Sequence, residues 1–350
     1  MKPIHEKLSR IPGAKRFPRY WRHVTPLKLL NALLVEWGKR TGKTRLSGYP
    51  YKIIIDTCNI CNLRCRLCPT GMKTLKRNKG YMTFDTYVKI MEQLKPYALE
   101  VELHNWGEPF LNPDIFRIIQ YTAENGMGTT LSSNLNKISQ DAILQIIESG
   151  LEHLVVSLDG VTKEVYEQYR VGGDFKRVMD NLNAIIQKKS ALKSRTPIIE
   201  WQYLVMKHNE HEMATASALA GKMGVDLIRF VPAGLPFEDF SNREMVETWM
   251  PENQQYWHFN PRFLRRRDYI VNEICFFLYR SITVNPDGGV SPCCVVYDDS
   301  YDFGSLLHED IKDIWNNDAY ISARSLFSRR KNEAQLKRTV CHKCRLFRKV

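Results

Sequence analysis

The sequence predicts an α/β fold built on a parallel sheet. Six short segments rich in apolar and β-branched residues recur at 51–56, 99–104, 127–132, 153–158, 198–205 and 226–231. Helical patterns separate them, which is the rhythm of βαβ units. Polar clusters follow four of the six segments, at the strand ends where parallel α/β folds place ligands. Either an open doubly wound sheet or a partial barrel satisfies these observations.

Each helix carries its own boundary chemistry. Thr83 caps a helix over 83–95, and Gly126 stops the next, over 113–125. Ser139 and Gly150 bracket 140–149; further helices are expected at 162–169, 175–192 and 209–223, the last stopped by Gly224. Ser or Thr before a helix and Gly after it satisfy the backbone groups that helix ends leave open. Upstream, Thr25, Pro26 and Gly38 delimit an amphipathic helix over 25–37. Its Leu27, Leu30, Leu34 and Trp37 share one face, which is expected to pack on the barrel, with interfacial membrane contact as the alternative. Downstream, 233–272 is irregular and includes the patch Arg265-Arg266-Arg267. A strand at 281–285, a turn at Pro286-Asp-Gly-Gly289 and a helix at 310–327 follow. The expected units are 1–50, 51–235 and 236–350.

The chain has 350 residues and a formal net charge of +13, from 51 basic and 38 acidic residues. Residues 1–50 hold twelve Lys and Arg against Glu6 and Glu36. Such a bias is a solvated surface or an attraction to anions, membranes or nucleic acid. Residues 2–20 show no continuous apolar region, so no secretory signal is expected. No apolar run approaches the roughly 20 residues of a membrane span. Nine cysteines in that context read as metal ligands in a reducing cytoplasm.

Cys61, Cys65 and Cys68, in Cys61-Asn-Leu-Arg-Cys65-Arg-Leu-Cys68-Pro, bring three thiols around one loop after the first strand. A cubane cluster normally takes four thiolates, so three leave one iron open. Cys58 extends the run to four, and four thiolates could instead close a structural zinc or cluster site. The run resembles the cluster motif of the radical S-adenosylmethionine (SAM) enzymes. That resemblance implies a partial (β/α)6 barrel with a small cysteine-rich C-terminal auxiliary-cluster domain. It implies a [4Fe–4S] cluster on Cys61, Cys65 and Cys68 that binds SAM and cleaves it to a 5′-deoxyadenosyl radical. A Thr or Ser often stands where this chain has Cys58.

The resemblance extends to the other strand ends. Gly107, Glu108 and Pro109 are similar to a loop that meets the SAM amino group, with Glu108 bracing it. Leu67 matches a position near adenine; Ser133 and Asn134, with Ser157 and Asp159, match the pairs that approach the ribose or carboxylate. Arg170 resembles an arginine that pairs with the methionine carboxylate, for which its fork is suited. Cys275, Cys293, Cys341 and Cys344 are similar to the ligands of SPASM and Twitch extensions, and are enough for one auxiliary [4Fe–4S] cluster. A structural zinc is the alternative for the same four thiols. Cys294 is left over, as a packing residue, an alternative ligand or a thiol that returns a hydrogen atom.

The function expected is abstraction of hydrogen from a C–H bond, ending in epimerisation or dehydrogenation. The expected substrate is an anionic small molecule or a glycoconjugate, such as a nucleotide-linked or lipid-linked sugar. A ribosomal-peptide maturase is the alternative within the family. A non-catalytic metal protein that binds nucleic acid is the alternative outside it. A reductase, flavodoxin or ferredoxin would supply electrons, peripheral membrane contact would come through the basic N-terminus, and no nucleic-acid partner is expected.

Overall fold

A computed structural model describes residues 21–237, 242–256, 275–328 and 337–344. The basic segment 1–20 and the arginine patch 265–267 lie outside the described residues. In chain order the described barrel runs α1 (Pro26–Thr41), β1 (Lys52–Ile55), α2 (Phe84–Leu94), β2 (Glu100–Glu102), α3 (Ile115–Glu124) and β3 (Gly128–Ser133). It continues with α4 (Gln140–Glu148), β4 (His153–Ser157), α5 (Lys163–Tyr169), α6 (Phe175–Ala191), β5 (Ile198–Val205), α7 (Met213–Met223) and β6 (Leu227–Pro232). The expected caps operate: Thr83 accepts from the Thr86 amide at 3.2 Å and Ser139 from the Ala142 amide at 3.1 Å. Gly126, Gly150 and Gly224 all take positive φ after their helices.

Six parallel strands in sequential order form the partial barrel, and the C-terminal segment adds to the same sheet. β7 (Ser281–Val284) pairs in parallel with β1, and β8 (Val290–Ser291) returns antiparallel, giving the order β6-β5-β4-β3-β2-β1-β7-β8. The expected helix over 310–327 is broken into α8 (Ile311–Ile314) and α9 (Asp318–Ser325). The break has a local cause: the Asn317 carboxamide caps the second piece by accepting from the Tyr320 amide at 3.0 Å.

Side-chain alternation divides the sheet into two unlike faces. Ile53, Ile55, Val101, Leu103, Leu131, Leu154, Val156, Trp201 and Tyr203 face the helices and join one apolar core. Most of the alternate positions, on the inner face, are polar. Lys52 pairs with Glu102 at 2.9 Å, Thr130 donates to Glu100 at 3.1 Å, and Ser132 meets Ser157 at 3.2 Å. Burial therefore stabilises the outer face, while the inner face stays dressed for a ligand.

The N-terminal helix corrects two expectations. Gly38 does not end it; α1 continues to Thr41, where Gly42 caps it at φ 66°. A Cβ on Gly38 would stand 2.6 Å from the Leu46 side chain, so this glycine serves close packing. The leucine face is not the packed face either. Lys28, Asn31, Val35 and Gly38 are turned inward, and the leucines point out. The reason is the partners available: Lys28 donates to the Gly126 carbonyl at 2.7 Å, and Asn31 exchanges two hydrogen bonds with the Tyr49 backbone.

The inner face also carries a charge cluster with a stability consequence. Glu200 lies between His153 at 3.0 Å and Arg229 at 2.5 Å. Burial opposes its ionisation, but the pairing with His153 and Arg229 outweighs burial and holds its pKa at about 2. A carboxyl held below its unfolded value of roughly 4.3 stabilises the fold above that pH and loses the benefit as pH falls toward the folded value. Glu200→Gln should cost on the order of 3 kcal/mol at neutral pH, and progressively less below about pH 4. Urea unfolding of both proteins at the two pH values checks this; an equal cost at both would refute it.

Candidate active site at the barrel mouth

The loops that leave β1, β2, β3 and β4 meet at one end of the sheet, and two of them touch backbone to backbone. A Cβ on Gly107 would lie 1.7 Å from the Cys58 carbonyl oxygen, so no other residue fits there. The Glu108 amide donates to the Ile60 carbonyl at 2.9 Å, completing the contact. Gly71 performs the same service beneath the cysteine loop, where a Cβ would be 2.5 Å from the Cys65 backbone.

Glu108 is buried and ties three loops together. Its carboxylate accepts from the Ser133 hydroxyl at 2.7 Å, the Asn134 amide at 2.8 Å and the Phe110 amide at 3.3 Å. Burial pushes its pKa up, against these hydrogen bonds. The Ser133 hydroxyl also accepts from the Leu135 amide at 2.9 Å, so it bonds both within its own loop and across to Glu108. Pro109 is buried and opens a short helical turn. Asp56, at the end of β1, accepts from the Trp106 amide at 3.3 Å, and burial raises it to about 7.

Cys61, Cys65 and Cys68 converge, each close enough that one ionised thiol would disfavour ionisation of the next. Burial pushes Cys61 up to about 12 and Cys65 up to about 11. Thiols gathered in such surroundings become thiolates only when a metal neutralises them. Two donors already point at sulfur: Asn134 Nδ2 lies 3.8 Å from Cys61 Sγ, and Arg170 Nη1 lies 3.8 Å from Cys65 Sγ. Leu63, Leu67, Tyr169, Met206 and Leu235 form the apolar wall around the group. Cys58 is turned elsewhere. Its Sγ donates to the Ile60 carbonyl at 3.4 Å, and the charges that act on it are those of Asp56 and Glu108.

Arg170 is anchored by Asp159, whose carboxylate accepts from Nε at 2.6 Å. Burial works against the charge on Arg170, but Asp159 and Cys65 outweigh it and hold the guanidinium protonated. Asp159 in turn accepts from the Leu204 amide at 2.7 Å. Ser157 meets Ser132 at the neighbouring strand end. The spacing in the sequence found these residues but missed their supports. Asn112, buried, donates to the carbonyls of Thr57 and Met82; Asn209 donates to those of Asp159 and Leu204. Asparagine immediately after an apolar strand or before a helix was the available signal.

A second thiol group lies beside the first strand. Cys275, Cys293, Cys341 and Cys344 line one pocket, walled by Phe277, Leu278, Val296 and Phe327. Cys294 does not line it. That side chain is partly buried and lies near Glu102 and Lys52 of the inner face, and burial pushes its thiol up to about 12. With its carboxamide assigned to the orientation that satisfies both atoms, Asn105 donates to the Cys294 carbonyl at 3.1 Å, and Tyr297 packs edge-on to Trp106. Arg77 adds the strongest tie, donating to Asp287 and Asp302 at 2.8–3.1 Å. Among the described residues, no group of three or more His, Cys, Asp or Glu closes on a single metal ion.

Thiols grouped by three and by four, on a parallel partial barrel, place the molecule among the iron–sulfur enzymes. The chain belongs to the radical SAM superfamily, whose model matches residues 55–200. A second model, described as an iron–sulfur cluster-binding domain of SPASM type, matches residues 275–345. Its cofactors are accordingly SAM, a [4Fe–4S] cluster and an auxiliary iron–sulfur cluster. An AdoMet-dependent heme synthase of Methanosarcina barkeri is 24% identical over 165 residues, 47% of this chain and 45% of the relative. A PqqA peptide cyclase of Rhodopseudomonas palustris is 22% identical, over 36% of this chain and 33% of the relative. The chain thus spans less than half the length of these curated relatives. The crystal structure of Streptococcus suis SuiB bound to the precursor peptide SuiA shares the fold, with a TM-score of 0.61 at 15% identity. That match covers 85% of this chain and 71% of the solved one. No helix among the described residues is long and apolar enough to cross a membrane.

Gly107 gives the site its sharpest test. Gly107→Ala forces the loop off Cys58, at a cost of at least about 3 kcal/mol for overpacking against backbone. The expected result is a lower melting temperature together with loss of iron from the barrel site. A variant that melts normally and keeps its iron would show that the contact is dispensable.

Proposed function

We propose that this radical SAM enzyme takes hydrogen from a C–H bond of a peptide substrate held on the inner face of the barrel. In this reading Cys61, Cys65 and Cys68 hold the SAM-binding cluster, and Cys275, Cys293, Cys341 and Cys344 hold the auxiliary one. The observation that carries the first assignment is the convergence of three thiols with Arg170 and Asn134, while Cys58 faces away. When bound, the cluster and SAM supply the carbon radical that abstracts the hydrogen.

The chain's own residues do the rest. Arg170 keeps Nε–H on Asp159 and Nη1 toward Cys65 Sγ, and offers the rest of its fork to a carboxylate. Glu108 and Ser133 hold the loops in place, the backbone at 107–109 offers an edge for an amine, and Leu67 gives an apolar wall. Lys52 and Glu102 present charges of both signs to a substrate, which suits a peptide backbone and its side chains. The described inner face carries Glu100, Glu102 and Glu200 against Lys52 and Arg229, a poor match for an anionic sugar nucleotide. The similarity to a PqqA peptide cyclase and to SuiB, solved with its precursor peptide, supports the same substrate class.

Two measurements test this. Cys61→Ala, Cys65→Ala and Cys68→Ala should each abolish 5′-deoxyadenosine formation under reducing, anaerobic conditions, and Cys58→Ala should retain it. Loss in the Cys58 variant as complete as in the others would sink the three-ligand assignment. The double Cys341→Ala/Cys344→Ala variant should lower iron from about eight per chain to about four.

Cys294, placed between the auxiliary pocket and the inner face, supports an epimerising outcome. Its S–H bond would break as a new C–H bond forms on the substrate. The sulfur radical left behind takes one electron and one proton from the reductant that serves the enzyme. Cys294→Ala should still form 5′-deoxyadenosine but fail to place solvent deuterium on the product carbon. Normal deuterated product from that variant would leave dehydrogenation as the outcome.

A further inference from the structure

The end of the barrel opposite Cys61, Cys65 and Cys68 carries a feature that the chemistry does not use. Nine large apolar side chains are exposed among the described residues, and six of them sit on α1. They are Leu27, Leu29, Leu30, Leu33, Leu34 and Trp37, with Leu30, Leu33 and Trp37 each more than half exposed. At 100° per residue these six fill one continuous arc of the helix, joined only by Pro26, Arg40 and Thr41. The inward arc is the more polar one, with Lys28 and Asn31 bonded to backbone. The helix is therefore inverted relative to one that packs by its apolar face.

Nothing about this helix is loose. Lys28 holds it to Gly126, Asn31 to Tyr49, and Glu36 to Arg280 and Tyr51. All four partners lie just before, or at the start of, β3, β1 and β7, which is the N-terminal end of the sheet. Lys39, Arg40, Lys43 and Arg45 flank the apolar arc, and the one acid on the helix, Glu36, is neutralised by Arg280. The first 22 residues add Lys2, Lys7, Arg10, Lys15, Arg16, Arg19 and Arg22 against Glu6 alone.

We propose that α1 is an interfacial anchor that docks the enzyme on an anionic lipid surface, leucines and Trp37 in the acyl boundary and the basic residues on the headgroups. An apolar arc with cationic flanks is the pattern that such surfaces bind, through buried area and charge together. Trp37 is a side chain suited to the boundary itself. The charge complementarity selects anionic lipid over a second copy of this chain, whose equal positive charge would repel. The mouth of the barrel then faces away from the bilayer.

Flotation of the reconstituted full chain with lipid vesicles tests the proposal. Wild type should float with phosphatidylcholine vesicles containing one third phosphatidylglycerol, and much less with phosphatidylcholine alone or in high salt. Leu30→Gln/Leu33→Gln/Trp37→Gln should lower partitioning by at least about tenfold, since each change removes buried apolar area. These side chains are exposed, so the variant should keep its cluster absorbance and its 5′-deoxyadenosine formation; Leu33→Gln alone is the milder control. Failure of wild type to float, or equal flotation of wild type and variant, overturns the proposal. So does a wild-type dimer that the triple variant abolishes without any vesicle binding.

Discussion

The contact between two backbones at Gly107 and Cys58 is the constraint on which the mouth of this barrel depends. It leaves no room for a side chain, so the loop after β2 lies directly on the loop after β1. Glu108, the next residue, then reaches the loop after β3 and accepts two hydrogen bonds there, with a third from Phe110 in its own loop. A buried carboxylate is costly unless its acceptor capacity is filled, and here filling it is what aligns three strand ends. The thiols of Cys61 and Cys65 meet Asn134 and Arg170 because those ends are aligned.

The two thiol groups are mechanically joined. Arg77 leaves the barrel side and is buried between Asp287 and Asp302, while Asn105 and Trp106 reach Cys294 and Tyr297. Removing either carboxylate would leave a buried guanidinium partly unpaired, so this junction resists opening. Its rigidity fixes how far Cys294 stands from the inner face.

Much of this was legible in the sequence because strand, cap and ligand signals are local. Strand 198–205 and the cap residues Thr83 and Ser139 were readable from a few neighbouring positions. Cys61, Cys65 and Cys68 were readable because their spacing alone brings them together. What escaped depended on distant partners. Gly38 looked like a helix stop, but its meaning came from Leu46 packing against it. The leucines of α1 looked like a core face, and only the carbonyls of Gly126 and Tyr49, far along the chain, turn that face outward. Nor does any local pattern say that β7 belongs to the barrel sheet.

That last pairing has a consequence for how the chain is made. β1 carries the cysteine loop on its end, and its outer neighbour is β7, more than two hundred residues later. Until β7 is available, β1 is the open edge of a parallel sheet, with unpaired amides and carbonyls along an Ile-Ile-Ile run. Such long-range closure is slow, because the chain entropy is lost before the contact is gained. The nascent barrel therefore waits, with its most aggregation-prone strand uncovered, for the segment that also holds Cys293. Closing the open edge of the barrel and bringing in the segment that holds Cys293 are thus the same pairing step.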